Sequence, residues 1–273
     1  MAKVARRIVL LAAIAAAVLL PSGIAVSAQS GPPGPITPPP EHKVRRIPRG
    51  PAVEPPPIPP EEILQQAAAK EDAYAKAFRT YSYRLAVRIV EYGPQGEAAG
   101  EAKLTTDIYT KENGERVGRT VDEPEMGLKQ TDFTRGDLLE FVSLPQFVLT
   151  SDQLFKYDIT YVGKQKVDEI DAYAFNVKPK SVDRRERRFE GVVWVDDRDL
   201  EIVKTYGRFV TEVTPDDSFL LFESYREVVG ALRLPTYVRS DGEKQVGEAT
   251  VPLRLTLRYS DYTAPKQSTT PKN

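Results

Sequence analysis

Between Arg188 and Val213 the chain reads RFEGVVWVDDRDLEIVKTYGRFVTEV. Two runs rich in valine, isoleucine and aromatic residues, Phe189–Val195 and Leu200–Val210, flank the polar tetrapeptide Asp196-Asp197-Arg198-Asp199. Such side chains fit a pleated strand, and a short Asp-rich gap between two strand-like runs reads as a hairpin turn. A turn on that tetrapeptide predicts pairing of Val195 with Leu200, Val193 with Ile202 and Phe189 with Tyr206. Strand side chains alternate, so these six share one face, the core face. Glu190, Val192, Trp194, Glu201, Val203 and Thr205 then share a wetter one. The chain is thereby committed to antiparallel sheet with one buried side.

The rest of the chain agrees. Glu61–Arg79 reads as the one clear helix: prolines precede it, Glu61 and Glu62 suit its positive end, and Ile63, Ala67, Tyr74 and Phe78 fall on one stripe. From Tyr81 the period becomes two, with Tyr83, Leu85, Val87 and Ile89 facing one way until Gly93-Pro94-Gln95-Gly96 ends the strand. Strands are predicted near Glu101–Thr110 and Glu115–Val121, and Asp122–Gly136 is irregular. Asp137–Phe155 predicts two short helices, the second with Thr150 and Gln153 at capping-box spacing. Strands follow at Tyr157–Val162 and Ala172–Val177, joined by Gly163–Asp171, then at Phe219–Val228 and Leu234–Arg239, joined around Gly230. The last strand alternates cleanly through Val251, Leu253, Leu255, Leu257 and Tyr259. The expected fold is mainly β (α+β): one curved antiparallel sheet forming an unclosed β-barrel, with helix on its inner face.

The ends of the chain carry a different signal. Met1–Ala28 has a basic start, an apolar run and Val26-Ser27-Ala28, which together read as a secretory signal peptide. Residues 29–60 form a proline-rich linker with no apolar periodicity, expected to be extended and without a core. The folded domain is placed at 61–263 and a polar tail at 264–273. Without cysteine there is neither disulfide nor lipidation site, so stability must come from packing. The expected compartment is the periplasm, reached across the inner membrane.

Composition closes several routes to function. Seven of the basic residues precede Glu61, so the domain itself is net acidic and makes a poor nucleic-acid binder. The only histidine of the chain, His42, lies in the linker, so neither Ser–His nor Cys–His catalysis is available to the domain. No enzyme activity, cofactor or metal is expected. Asp196, Asp197 and Asp199 lack the glycine and distal Glu of an EF-hand loop and read as a turn. Arg184, Arg185, Arg187 and Arg188 around Glu186, and the basic patch His42–Arg49, read either as solvated segments or as contacts to a membrane surface or an acidic partner.

Tyr157-Asp158-Ile159-Thr160-Tyr161-Val162-Gly163, then Val167-Asp168, Ala172-Tyr173, Lys178-Pro179-Lys180 and Val193-Trp194-Val195-Asp196, occur in an order that resembles the outer-membrane lipoprotein-sorting proteins, the LolA/LolB-like superfamily. The resemblance spans roughly Glu61 to Tyr262. It implies an unclosed β-barrel with a helical lid over an apolar cavity, and a periplasmic carrier of a lipid or of lipoprotein acyl chains. The alternation predicts that Leu85, Val87, Ile89, Val193, Ile202, Leu253, Leu255 and Leu257 line that cavity, with Tyr74 and Phe78 on the lid helix. A non-enzymatic interaction or sensor module, docking to an envelope protein with its cavity filled by its own side chains, is the other reading.

Overall fold

The computed structural model describes residues 54–265, apart from 112, 143–145, 183–185, 212–218 and 220. The signal segment, most of the proline-rich linker and all but the first two residues of the tail lie outside the described residues. Packing begins just before the helix: Ile58 is half-buried against the core.

Helix α1 (Pro60–Phe78) has Pro60 in its first turn, where a missing N–H leaves no bond unmade. Glu61 and Glu62 sit at its positive end and Lys76 at its negative end. Its N-terminus has no side-chain cap; instead the Glu62 and Ile63 amides donate to the Pro59 carbonyl. The helix buries Ile63, Ala67, Glu71 and Tyr74. The predicted stripe thus contains a carboxylate at the turn it had skipped.

The strands are β1 (Ser82–Tyr92), β2 (Ala98–Thr110), β3 (Arg116–Thr120), β4 (Glu125–Met126), β5 (Tyr157–Val167), β6 (Ile170–Pro179), β7 (Arg188–Asp196), β8 (Ile202–Val210), β9 (Phe222–Val229), β10 (Leu232–Val246) and β11 (Ala249–Thr263). They form one sheet in the order β3-β2-β1-β11-β10-β9-β8-β7-β6-β5, with β4 beside β2. Every pairing is antiparallel. The two ends of this order do not pair, so the barrel is unclosed, as expected. From β5 to β11 the chain is a meander; the first and last strands meet in the middle. Helix α2 (Arg135–Val142) and a 3-10 turn, Leu154–Lys156, fill the interlude before β5. The capping box expected there does not form. Thr150 spends its hydroxyl on Asp152 at 2.5 Å, and its carbonyl accepts the Gln153 amide instead.

The hairpin register differs from the expected one. Val195 pairs with Ile202, Val193 with Thr205 and Phe189 with Phe209. The turn is Asp197–Leu200, because Asp196 still pairs with Glu201 through its amide at 2.9 Å. Two side chains hold it: Asp196 accepts from the Arg198 amide and Asp199 from the Glu201 amide, each at 2.9 Å. Val203 is then an extra residue, a bulge between the Trp194 and Val195 pairings. One inserted residue moves everything beyond it to the opposite face. Thr205 therefore comes onto the core face, while Tyr206, expected in the core, is 44 % exposed. Val203 packs on the far side with Val167 and Ala172, against Trp194.

Further along the same hairpin, Gly191 faces Gly207. A Cβ on Gly191 would stand 2.2 Å from the Tyr206 carbonyl oxygen and 2.8 Å from Cζ of Phe189. The strands approach this closely because neither residue has a side chain and the Phe189 ring covers the gap. Gly191→Ala should therefore cost about 1–3 kcal/mol through overpacking. An unchanged urea midpoint would mean that the strands are not this close.

The β5–β6 connection is shorter than predicted. Residues 163–167 are strand, and the turn is Asp168-Glu169, with Asp168 at φ 53°. A bulge between the Tyr161 and Gly163 pairings breaks the alternation that would have revealed it.

Candidate functional site

The predicted lining residues are all buried, each at most 2 % exposed. The structure brings six of them together. Leu85, Val87 and Ile89 of β1 and Leu253, Leu255 and Leu257 of β11 form one apolar cluster with Leu138 of α2, and Phe133, Phe141 and Val142 pack against it. Val193 and Ile202 belong to a second cluster, with Ile63 and Ala67 of α1, Phe147, Phe175 and Phe189. Phe222 packs against both. The core face is thus two apolar fields, one under each helix, with a shared aromatic between them.

The expected lid residues lie in an aromatic stack. Tyr74 stacks on Phe78 at 5.5 Å and Phe78 on Tyr83 at 5.4 Å. Arg116 of β3 lies over the Phe78 and Tyr83 rings and donates to the Arg79 carbonyl at 2.7 Å. A cation there also suits the negative end of α1.

Mid-helix, α1 is held by charge. Arg226 of β9 pairs with Glu71 at 2.7 Å, donates to the Phe147 carbonyl at 2.7 Å and lies 4.1 Å over the Tyr74 ring. Both partners of the pair are buried. Taking two charges out of water is costly, so the pair is favourable only with such close geometry and further bonds. Burial pushes the Tyr74 hydroxyl up to about 12. Sequence periodicity missed both Glu71 and Arg226. The available signal was the gap in the helix stripe between Ala67 and Tyr74.

The aspartates of the β7–β8 turn meet Arg233 of β10. Its guanidinium lies 2.9 Å from Asp196 and 2.8 Å from Asp199, with Glu201 at 3.6 Å. Asp197 pairs with Lys164 at 2.6 Å. Burial pushes the Glu201 carboxyl up, and Asp199 beside it adds to this. Glu201 therefore does not lie on an open polar face, as the expected register had it. Of the basic cluster, Arg184 and Arg185 lie outside the described residues; Arg188 is bonded to Ser181 and Glu186.

A second buried carboxylate shapes the cover of the first cluster. Glu91, at the end of β1, accepts from the amides of Lys129, Gln130 and Thr131 and from the Thr131 hydroxyl. These donors compensate a charge that is 0 % exposed and fix the loop that brings Phe133 onto the core.

Among the described residues no helix is long and apolar enough to cross a membrane. No protein-family model matches the chain. No curated protein matches it. Solved structures similar to it include a LolA superfamily protein from Nitrosomonas europaea, at 14 % identity over 75 % of this chain and 92 % of that one, with a TM-score of 0.31. The Mycobacterium tuberculosis lipoprotein LppX is similar at 11 % identity over 76 % and 97 %, with a TM-score of 0.28. The Pseudomonas aeruginosa MucA/MucB complex is similar at 12 % identity over 75 % and 98 %, with a TM-score of 0.23.

Proposed function

We propose that the chain is a non-enzymatic periplasmic protein that binds and carries a lipid or acyl-bearing ligand on its core face, in the manner of lipoprotein-sorting proteins. One observation carries this reading. The core face is a broad aliphatic surface on an unclosed sheet, covered by α1, α2 and their connections instead of a second sheet. A ligand chain would lie along Leu85, Val87, Ile89, Val193, Ile202, Leu253, Leu255 and Leu257, entering where Phe222 bridges the two fields. Those side chains are packed in the described state, so entry requires a helix to move. Helix α1 is the lid in this reading, with Tyr74 and Phe78 on its hinge side. Each buried methylene contributes about 0.8 kcal/mol, enough for micromolar binding of a long chain after ordering costs.

The near-complete burial of the same eight residues favours a second reading. In it, the core face is permanently self-filled, and the protein docks to an envelope partner as an interaction or sensor module. A fluorescent fatty-acid probe separates the two. Saturable binding is expected, lost in a Leu255→Arg variant that still melts cooperatively. Phe78→Ala should change probe affinity more than melting temperature. Native mass spectrometry of protein purified from envelopes should show an added lipid mass. A bare polypeptide mass together with no probe binding would leave only the module.

A further inference from the structure

The corner where β5 begins and β6 ends carries an apolar group that the core does not use. The Lys180 amide donates to the Lys156 carbonyl at 2.9 Å, so the 3-10 turn before β5 and the segment after β6 leave the sheet side by side. Leu154 packs inward on the second cluster. Phe155, next to it, is 70 % exposed, the most of any large apolar side chain among the described residues. Val182, two residues past Lys180, is 39 % exposed. The turn that presents Phe155 is fixed by its backbone. The Gln153 and Lys156 amides donate to the Thr150 and Gln153 carbonyls, each at 2.9 Å. The Ser151 amide donates to Asp72 of α1 at 3.1 Å.

Exposed apolar side chains occur singly on most protein surfaces. This one is set apart by the charges around it. Glu186 is answered twice, by Lys156 at 2.7 Å and by Arg188 at 3.1 Å, and Arg188 also donates to the Ser181 hydroxyl. These bonds bring the start of β7 to the same corner. Lys178 and Lys180, on either side of Pro179, and Arg187 before β7 are exposed and make no ion pair among the described residues. The other acids at hand are Asp152, bonded to Thr150, and Asp158, opposite Lys178 in the β5–β6 ladder. The balance is cationic. Two of the three unpaired cations are lysines, which the centres of protein interfaces disfavour. A long ammonium side chain suits a lipid surface instead, with its stem along the apolar boundary and its charge at the phosphates.

We infer that this corner docks on the surface of an anionic phospholipid bilayer. Phe155 and Val182 enter the headgroup boundary, and Lys178, Lys180 and Arg187 lie against lipid phosphates. Neither signal is strong alone; one apolar insertion and a few cations together give attachment that is measurable and reversible. The inference holds for either reading of the core face, since none of these five residues belongs to either apolar field.

Co-sedimentation of the full mature chain with vesicles tests this, comparing phosphatidylethanolamine/phosphatidylglycerol vesicles with phosphatidylcholine ones. Binding to the anionic vesicles is expected, weakened by about 0.5 M salt, which screens surface charge. Phe155→Ser should weaken it about tenfold without lowering the melting temperature. Lys178→Gln/Lys180→Gln/Arg187→Gln should weaken it as much at low salt and little at high salt. Phe155→Trp should gain emission that brominated lipid quenches, which the parent, with Trp194 as its one tryptophan, does not show. Binding that Phe155→Ser leaves intact overturns the inference, and its loss in Arg45→Gln/Arg46→Gln/Arg49→Gln would assign it to the basic linker. The absence of vesicle binding also overturns it; a photo-crosslinker at position 155 that then captures an envelope protein would make the corner a protein interface.

Discussion

Arg226→Met should destabilise the domain by about 3–5 kcal/mol, because it strands a buried carboxylate on α1. The guanidinium and Glu71 are 2.7 Å apart, with side chains 4 % and 3 % exposed. Removing the cation also leaves the Phe147 carbonyl without its donor and the Tyr74 ring without the charge above it. The double variant Glu71→Leu/Arg226→Met removes both charges and should recover much of the loss, since a matched apolar pair often replaces a buried ion pair at little cost. Urea midpoints of the parent, both single variants and the double variant give the coupling directly. A single variant within about 1 kcal/mol of the parent would mean that this pair does not hold the helix.

Val193→Asp should abolish cooperative unfolding, while Tyr206→Asp should leave it nearly intact. Val193 is packed in the second cluster beside Phe189 and Ile202. An unpaired carboxylate there costs several kcal/mol, against a total stability of about 5–15 kcal/mol for a domain. Tyr206 is exposed, on the far side of the Val203 bulge. A surface change of that kind is worth about 0.5 kcal/mol. The register expected from the turn alone makes both residues core, so equal melting temperatures would restore that register and remove the bulge. Glu201→Lys, harmless in the expected register, instead places an ammonium beside Arg233 and should be destabilising.

What the sequence made legible follows from periodicity. Helix α1, strands β1 and β11 and the existence of the β7–β8 hairpin all carry clear apolar patterns, and each is found. Failures cluster where one residue breaks the count. Val203 shifts the hairpin by a bulge, and the irregularity at Gly163 hides half of β5. Strand β10 runs to Val246, beyond the predicted Arg239, because Asp241, Glu243 and Gln245 give it no apolar rhythm. The predicted apolar lining was found buried because aliphatic residues on alternating positions have one place to go. The charged groups were not legible, since a buried Glu71, Glu91, Arg226 or Arg233 has the same letter as an exposed one. Only the partner, far away in sequence, tells them apart.

The placement of β1 against β11 has a consequence for how the molecule is made. Leu85 pairs with Tyr259 and Ile89 with Leu255, contacts that span nearly the whole domain. On a ribosome, β1 to β3 would wait for β11 before their central neighbour exists. Pairings so distant in sequence close large loops and slow the search. Until β11 has been made, one edge of β1 is unpaired and open to other chains. A chain truncated before Ala249 should remain in that state, whereas the β5–β8 meander has all its strand partners at hand once β8 is made.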